Sequence, residues 1–235
     1  MVQYDDKRLV VAIDGPAGAG KSTVARQVSK DLGYIYIDTG AMYRALTLKA
    51  LRQGIDLEDE KALTKLAEET DIRITHRDHT QIIFMEGEDV SVEIRSPEVS
   101  QSVSIVAKVP GVRIEMVRIQ RGLAKGGGVV MDGRDIGSYV LPDADFKIFL
   151  TASRMERARR RARDLEAAGY EVEITKLAKE IAARDEIDSS RQMAPLVQPQ
   201  DAVLIDTSEM NFDEVVDKIK ECIQQPSRPV DKLDI

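Results

Sequence analysis

Residues 9–32 limit what this chain can fold into more than any other stretch. Leu9-Val-Val-Ala-Ile-Asp14 is a short apolar run bounded by glycine, a pattern that predicts a buried strand. Gly15-Pro16-Ala17-Gly18-Ala19-Gly20-Lys21-Ser22-Thr23 follows, and it fills Gly-x-x-x-x-Gly-Lys-Ser. Val24, Val28 and Leu32 then recur at helical spacing, with Gly33 as the stop. Strand, glycine loop and helix in that order are the setting in which this loop wraps a phosphate chain. Glycines let backbone N–H groups converge on an anion, and the helix N-terminus adds partial positive charge. In this pattern Lys21 reaches the β- and γ-phosphates and the Ser22 hydroxyl is available to Mg²⁺. A chance glycine-rich turn is the competing reading, and both flanking elements argue against it. The expectation is an α/β protein that binds a nucleoside triphosphate.

Tyr34-Ile-Tyr-Ile37 is a second short strand, so a βαβ unit and a parallel sheet follow. Ligands gather at the carboxyl ends of such strands, which places Asp38 and Thr39 near the nucleotide. A helix is expected from Ala41 to about Gln53, with Arg44 in its first turn, where an acid would suit the helix dipole better. That conflict points to an anionic ligand for Arg44, against the alternative of a solvated charge. A helix over Glu58 to about Thr70 precedes a change of period. Ile72 and Ile74 alternate with polar residues, Arg77-Asp-His-Thr80 reads as a turn, and Gln81-Ile-Ile-Phe-Met85 returns. Val90, Val92 and Ile94 also alternate, predicting a third strand of a small antiparallel insert. His76 and His79 flank the turn without companion ligands at metal spacing and read as turn residues.

Two helices are expected between Pro97 and about Ala124, then a third parallel strand, Val129-Val-Met131. It ends in Asp132-Gly-Arg-Asp135, and an acid at a buried strand tip suits a second Mg²⁺-organising position, here Asp132. The alternative is a turn-stabilising pair of Asp132 and Arg134. A fourth strand, Asp145–Leu150, is followed by six arginines in the ten residues 154–163. With no aromatic residue interleaved for base stacking, this density fits a lid over a polyphosphate better than a nucleic-acid surface. A helix over Glu173–Ile187 opens into Arg184-Asp-Glu-Ile-Asp188-Ser-Ser-Arg191, a second cluster of mixed charge. Ala202–Asp206 is the fifth strand, Phe212–Gln224 the closing helix, and Pro226–Ile235 a polar tail.

Composition narrows the class. The net charge of −7, from 41 acids and 34 bases, argues against a nucleic-acid partner and makes the local arginine clusters conspicuous. A single cysteine, Cys222, suits a reducing compartment, and no apolar run has the length of a membrane span. A cytoplasmic protein without membrane partner is expected. Neither a guanine-reading Asn-Lys-x-Asp segment nor a strand-tip glutamate or glutamine to position a water is present. A small-molecule kinase remains, and surplus arginines favour a phosphorylated acceptor over a hydroxyl one.

The motifs Gly15–Thr23, Asp38-Thr-Gly-Ala-Met-Tyr-Arg44, Glu86-Gly-Glu-Asp-Val90 with Glu93-Ile-Arg95, Asp132-Gly-Arg-Asp135, and Arg184-Asp with Ala194-Pro-Leu196 resemble those of bacterial-type cytidylate kinases. The resemblance runs in order from about residue 9 to residue 224. It implies a P-loop kinase fold: a five-stranded parallel sheet flanked by helices, a small antiparallel insert in the acceptor-binding region, and a short arginine-rich lid. It implies one domain, with a core over about 9–40, 105–152 and 170–224, the acceptor region over 41–104 and the lid over 153–169. ATP with Mg²⁺ would be the donor and CMP or dCMP the acceptor, in a monomer. Arg44, Arg134 and Arg191 correspond to arginines that hold the acceptor phosphate, with Arg184 and Thr39 on the same side. Ser104, Arg113 and Asp135 correspond to readers of cytosine, and Asp188 to the ribose contact. Arg157, Arg160 and Arg161 match lid arginines, Arg160 on the ATP. Lys21, Arg134, Arg157, Arg161 and Arg191 would carry the catalysis, and Ser22 and Asp132 the metal.

Overall fold

The computed structural model describes residues 8–77, 80–167 and 169–224. The first half of the chain forms β1 (Val10–Asp14), α1 (Lys21–Leu32), β2 (Ile35–Asp38), α2 (Thr39–Arg52), α3 (Glu60–Glu69), β3 (Ile72–Arg77), β4 (Thr80–Met85) and β5 (Glu88–Asp89). Then come α4 (Pro97–Lys108), α5 (Pro110–Ala124), β6 (Val129–Asp132), β7 (Phe146–Thr151), α6 (Arg154–Ala167), α7 (Ile174–Ser190), β8 (Val203–Asp206) and α8 (Phe212–Gln224). His79 and the tail after Gln224 lie outside the described residues.

The expected five-stranded parallel sheet is present, in the order β2-β6-β1-β7-β8. β1 has an unbroken apolar run because both its faces are covered. Val11 and Ile13 pack under α1 (Val24, Ala25, Val28) and α8 (Val215, Val216, Ile219). Ala12 packs on the opposite face with Met131 of β6 and Val117 and Ala124 of α5. The register sets Asp132 level with Ile13 on one side and Asp38 on the other, so three strand tips end together. Helices α2, α3, α4 and α5 and the insert enclose a second core, centred on Met42, Leu46, Leu63, Ile83 and Met116. No helix among the described residues is long and apolar enough to cross a membrane.

The insert differs from expectation in one part. β3 and β4 form the expected hairpin, with His76 directly opposite Gln81. The third strand is only Glu88–Asp89, and Val90–Arg95 is not extended but turns into a 3-10 helix over Glu93–Arg95. Val90 and Ile94 are buried while Val92 is 88 % exposed. The first two are one helical turn apart, a spacing that fits period two and period four equally, and Asp89 settles it by capping the turn at Ser91.

Candidate active site

The glycine loop leaves β1 and passes close to β7. Gly15 has φ of 144°, and a Cβ there would lie 1.9 Å from the Leu150 carbonyl oxygen. Only glycine lets the loop leave the sheet at this point. Lys21 opens α1, and its Nζ donates to the Pro16 carbonyl at 2.8 Å, so its ammonium folds back across the loop. Burial, then the neighbouring Arg134, pushes the Lys21 pKa well below the usual lysine value. Ser22 Oγ donates to Asp132 Oδ2 at 2.9 Å, and the Tyr36 hydroxyl donates to Asp132 Oδ1 at 2.8 Å. Burial, followed by the Asp38 charge, raises the Asp132 carboxyl to about 6. Its partners are Ser22 and Tyr36, so the alternative of a turn pair with Arg134 does not hold. Hydroxyl and carboxylate oxygens at this spacing are the donor types that suit Mg²⁺, which is commonly held by one or two such groups plus substrate phosphates.

Across the cleft, charged side chains are paired in a chain. Arg44 lies on α2 and donates to Asp38 Oδ2 at 2.7 Å, while Ala41 N donates to Oδ1. Because α2 starts at Thr39, Arg44 is past its first turn. The expected clash with the helix dipole is therefore absent, and Arg44 instead pairs with the N-cap residue. Thr39 Oγ1 donates to the Asp132 carbonyl at 2.8 Å. Asp135 stands between Arg113 (2.5 Å) and Arg191 (3.1 Å), and Asp188 between Arg134 (2.9 Å) and Arg191 (3.6 Å). Burial alone would raise the Asp188 carboxyl, but Arg134, Arg184 and Arg191 outweigh it and hold it below the ordinary value. α7 continues to Ser190, beyond the expected end at Ile187. That extra turn puts Arg184 and Asp188 on one face, four residues apart. Ser104 is buried on α4 and lines the same cleft.

Of the six-arginine run, Arg160, Arg161 and Arg163 line the cleft. Arg160 donates to the Thr207 hydroxyl at 2.9 Å and carbonyl at 2.6 Å, and lines the cleft beside the glycine loop. Arg161 also lines the cleft, its pKa lowered by burial and by Arg44 and Arg95 beyond. Arg157 has different partners. It donates to Ala17 O at 3.0 Å and Ala152 O at 3.1 Å and pairs with Asp185 at 2.7 Å. Arg157 thus ties the start of α6 to the glycine loop, and unlike Arg160 and Arg161 it is not among the residues lining the cleft.

The cleft measures about 1300 Å³ and runs from Ala17–Thr23 to Arg113 and Arg191. That exceeds the ~300–1,000 Å³ typical of a site for one drug-sized ligand. Of the site residues expected from sequence, all line it except Gly15, Pro16 and Arg157. Sequence reasoning did not single out Asp14, Tyr36 or Thr207. Thr207 directly follows β8, so its place at a strand's carboxyl end was a usable signal. Asp14 is buried, accepts from Ile136 N at 2.8 Å and Gly137 N at 2.7 Å, and is raised to about 7 by burial. Those two donors open a π-helical turn, Ile136–Val140, that no local pattern announces.

A family model described as Cytidylate kinase matches residues 11–225. A cytidylate kinase of Pelotomaculum thermopropionicum is 57 % identical over 210 residues, covering 89 % of this chain and 93 % of that protein. One of Bacillus velezensis is 54 % identical over 223 residues, covering 95 % and 100 %. The solved structure of an uncharacterized protein from Eubacterium ventriosum shares the fold, with a TM-score of 0.50 at 13 % identity, over 93 % of this chain and 99 % of that one.

Proposed function

We propose residue roles from one premise: the chain belongs to the cytidylate kinase family. It is a phosphotransferase that moves the γ-phosphoryl group of ATP to CMP or dCMP. The supporting observation for the roles is a surplus of guanidinium groups. On the acceptor side five arginines (44, 113, 134, 184 and 191) meet three carboxylates, those of Asp38, Asp135 and Asp188. Arg44 Nε and Arg184 Nε are buried without hydrogen-bond partners among the described residues. Burial, then Arg134, lowers the Arg184 pKa to about 10, and five guanidiniums against three carboxylates leave room for further anions.

A phosphomonoester supplies them. Its second pKa is about 6, so its attacking oxygen is already an anion at neutral pH and needs no general base. The obstacle is repulsion from the triphosphate, ~4 kcal/mol for two unit charges ~4 Å apart at an effective dielectric near 20. Arg44, Arg134, Arg184 and Arg191 hold the acceptor phosphate and remove that cost. Lys21 and Arg161 carry positive charge to the transferring group between the two anions. The loop Gly15–Thr23 holds the triphosphate, Arg160 lies on the donor side, and Arg157 acts by keeping the loop in place.

Asp135 accepts from the cytosine N4 amino group, since its carboxylate retains lone pairs beyond those used by Arg113 and Arg191. Ser104 and Arg113 donate to the ring acceptors, and Asp188 takes the ribose. Ser22 and Asp132 would hold Mg²⁺, which when bound neutralises charge on the β- and γ-phosphate oxygens. A single domain with an acceptor region over 41–104 and a lid over 153–169, a monomeric state and a cytoplasmic location belong to the same reading. Coupled ADP-release assays with a panel of nucleoside monophosphates test it. Fastest turnover with CMP or dCMP, and none without acceptor, is expected; acceptor-independent release would overturn it.

A further inference from the structure

The free edge of the parallel sheet is closed by side chains. β2 is the edge strand: Ile35 N bonds inward to Gly128 O on the β6 side. In a parallel strand alternate residues direct their backbone groups to opposite neighbours. Tyr36 and Asp38 therefore present theirs outward, where no strand of that sheet stands. Two residues of the insert take three of these four groups. His76 Nε2 lies 2.6 Å from the Tyr36 carbonyl oxygen, and since a carbonyl only accepts, this nitrogen carries the proton. Gln81 makes a two-point contact with Asp38: its Oε1 accepts from Asp38 N at 2.8 Å and its Nε2 donates to Asp38 O at 3.3 Å. His76 and Gln81 face each other across the β3–β4 hairpin, so one cross-strand pair grips two alternate residues of β2.

What they grip matters. The Asp38 side chain uses both oxygens, one capping α2 through Ala41 N and one on Arg44, with Arg95 at 3.8 Å. The insert is also tied to the far end of α2 by ion pairs of Lys49 with Glu86 and of Arg52 with Glu88 and Glu93. It thus spans the β2–α2 junction from both sides.

We propose that His76 and Gln81 are positioning residues for the acceptor site: they substitute for a missing strand on the free edge of β2 and so fix Asp38 and, through it, Arg44. This rests on the reading that Arg44 holds the acceptor phosphate. Gln81→Leu keeps side-chain volume and removes both hydrogen bonds, and His76→Ala removes the third. In each, KM for CMP should rise about fivefold to tenfold, the effect of one or two lost hydrogen bonds, with kcat and KM for ATP unchanged. The Asp38 amide should exchange with solvent faster in Gln81→Leu, and the melting temperature serves as folding control. Because the effect passes through Arg44, adding Gln81→Leu to Arg44→Ala should raise KM little beyond the single change.

An unchanged KM for CMP in both insert variants, or an equal rise for ATP and CMP, overturns the proposal. If Arg44→Ala raises KM for CMP while Gln81→Leu does not, the grip alone fails. If Arg44→Ala leaves that KM unaltered, the reading of Arg44 fails and the proposal with it.

Discussion

Ser22 Oγ and Asp132 Oδ2 meet at 2.9 Å, joining the first turn of α1 to the tip of β6. The same carboxylate is held from its other oxygen by the Tyr36 hydroxyl at 2.8 Å. A carboxylate fixed at both oxygens is aimed before any ligand arrives, so loss of its charge should act on metal use before fold. In Asp132→Asn the half-saturating Mg²⁺ concentration should rise about 10–100-fold, the usual effect of disturbing such a shell. Mg²⁺ titration of the coupled assay measures it, and an unshifted curve would remove Asp132 from the metal's surroundings.

Lys21→Ala should separate activity from stability. The ammonium is buried with Pro16 O as its hydrogen-bonded partner, so its desolvation already offsets much of what it contributes to folding. Turnover should fall at least about a hundredfold, the expected loss for the proposed role of Lys21 in carrying positive charge to the transferring group. The melting temperature should move by no more than about 4 °C, the shift that ~1 kcal/mol makes in a chain of this size. Near-normal turnover would exclude Lys21 from the chemistry.

Asp135→Asn has two expected effects. Preference for CMP over UMP should erode about tenfold, since a carboxylate facing the uracil O4 no longer penalises that base. Stability should fall too, because Arg113 and Arg191 keep their charges while their shared anion is gone. Competition assays and thermal unfolding read the two; an unaltered CMP/UMP ratio would show that another residue reads the base.

Asp14 predicts a pH dependence. Its carboxyl is raised to about 7 in the folded protein, so the native state holds the proton more tightly than the unfolded chain between pH ~4 and 7. This group's contribution is therefore largest at low pH and is lost as pH rises towards 7, by at most about 1.4 kcal/mol per pH unit. The carboxamide of an Asp14→Asn variant cannot titrate. The difference in melting temperature, wild type minus Asp14→Asn, should fall from pH 5 to pH 7.5 and stay level above that. A constant difference would mean that Asp14 is already ionised at pH 5.

The parts legible in the sequence share one property: their signal is local. The Leu9–Leu32 unit is recognisable because strand period, glycine spacing and helix period are consecutive in the chain. The Asp132-Gly-Arg-Asp135 tip stands out because a buried strand ends in charge. Residues whose role depends on a distant partner were not legible. Arg157 belongs to a conspicuous arginine run, yet its partner Ala17 O lies 140 positions away in the chain. Nothing around Asp14 announces that it will cap Ile136 and Gly137. His76 reads as a turn residue until β2 is set beside it. Val92 looks like one of three strand residues because alternation cannot tell a turn from a strand when only three apolar residues are available.

The grip on β2 has a bearing on solubility. A sheet margin with free N–H and C=O groups is a template onto which another polypeptide can add a strand, the first step of edge-to-edge aggregation. Here Tyr36 O, Asp38 N and Asp38 O are already engaged by imidazole and carboxamide groups. The insert therefore leaves an incoming chain little to pair with at that margin, and the sheet stops growing at its β2 side.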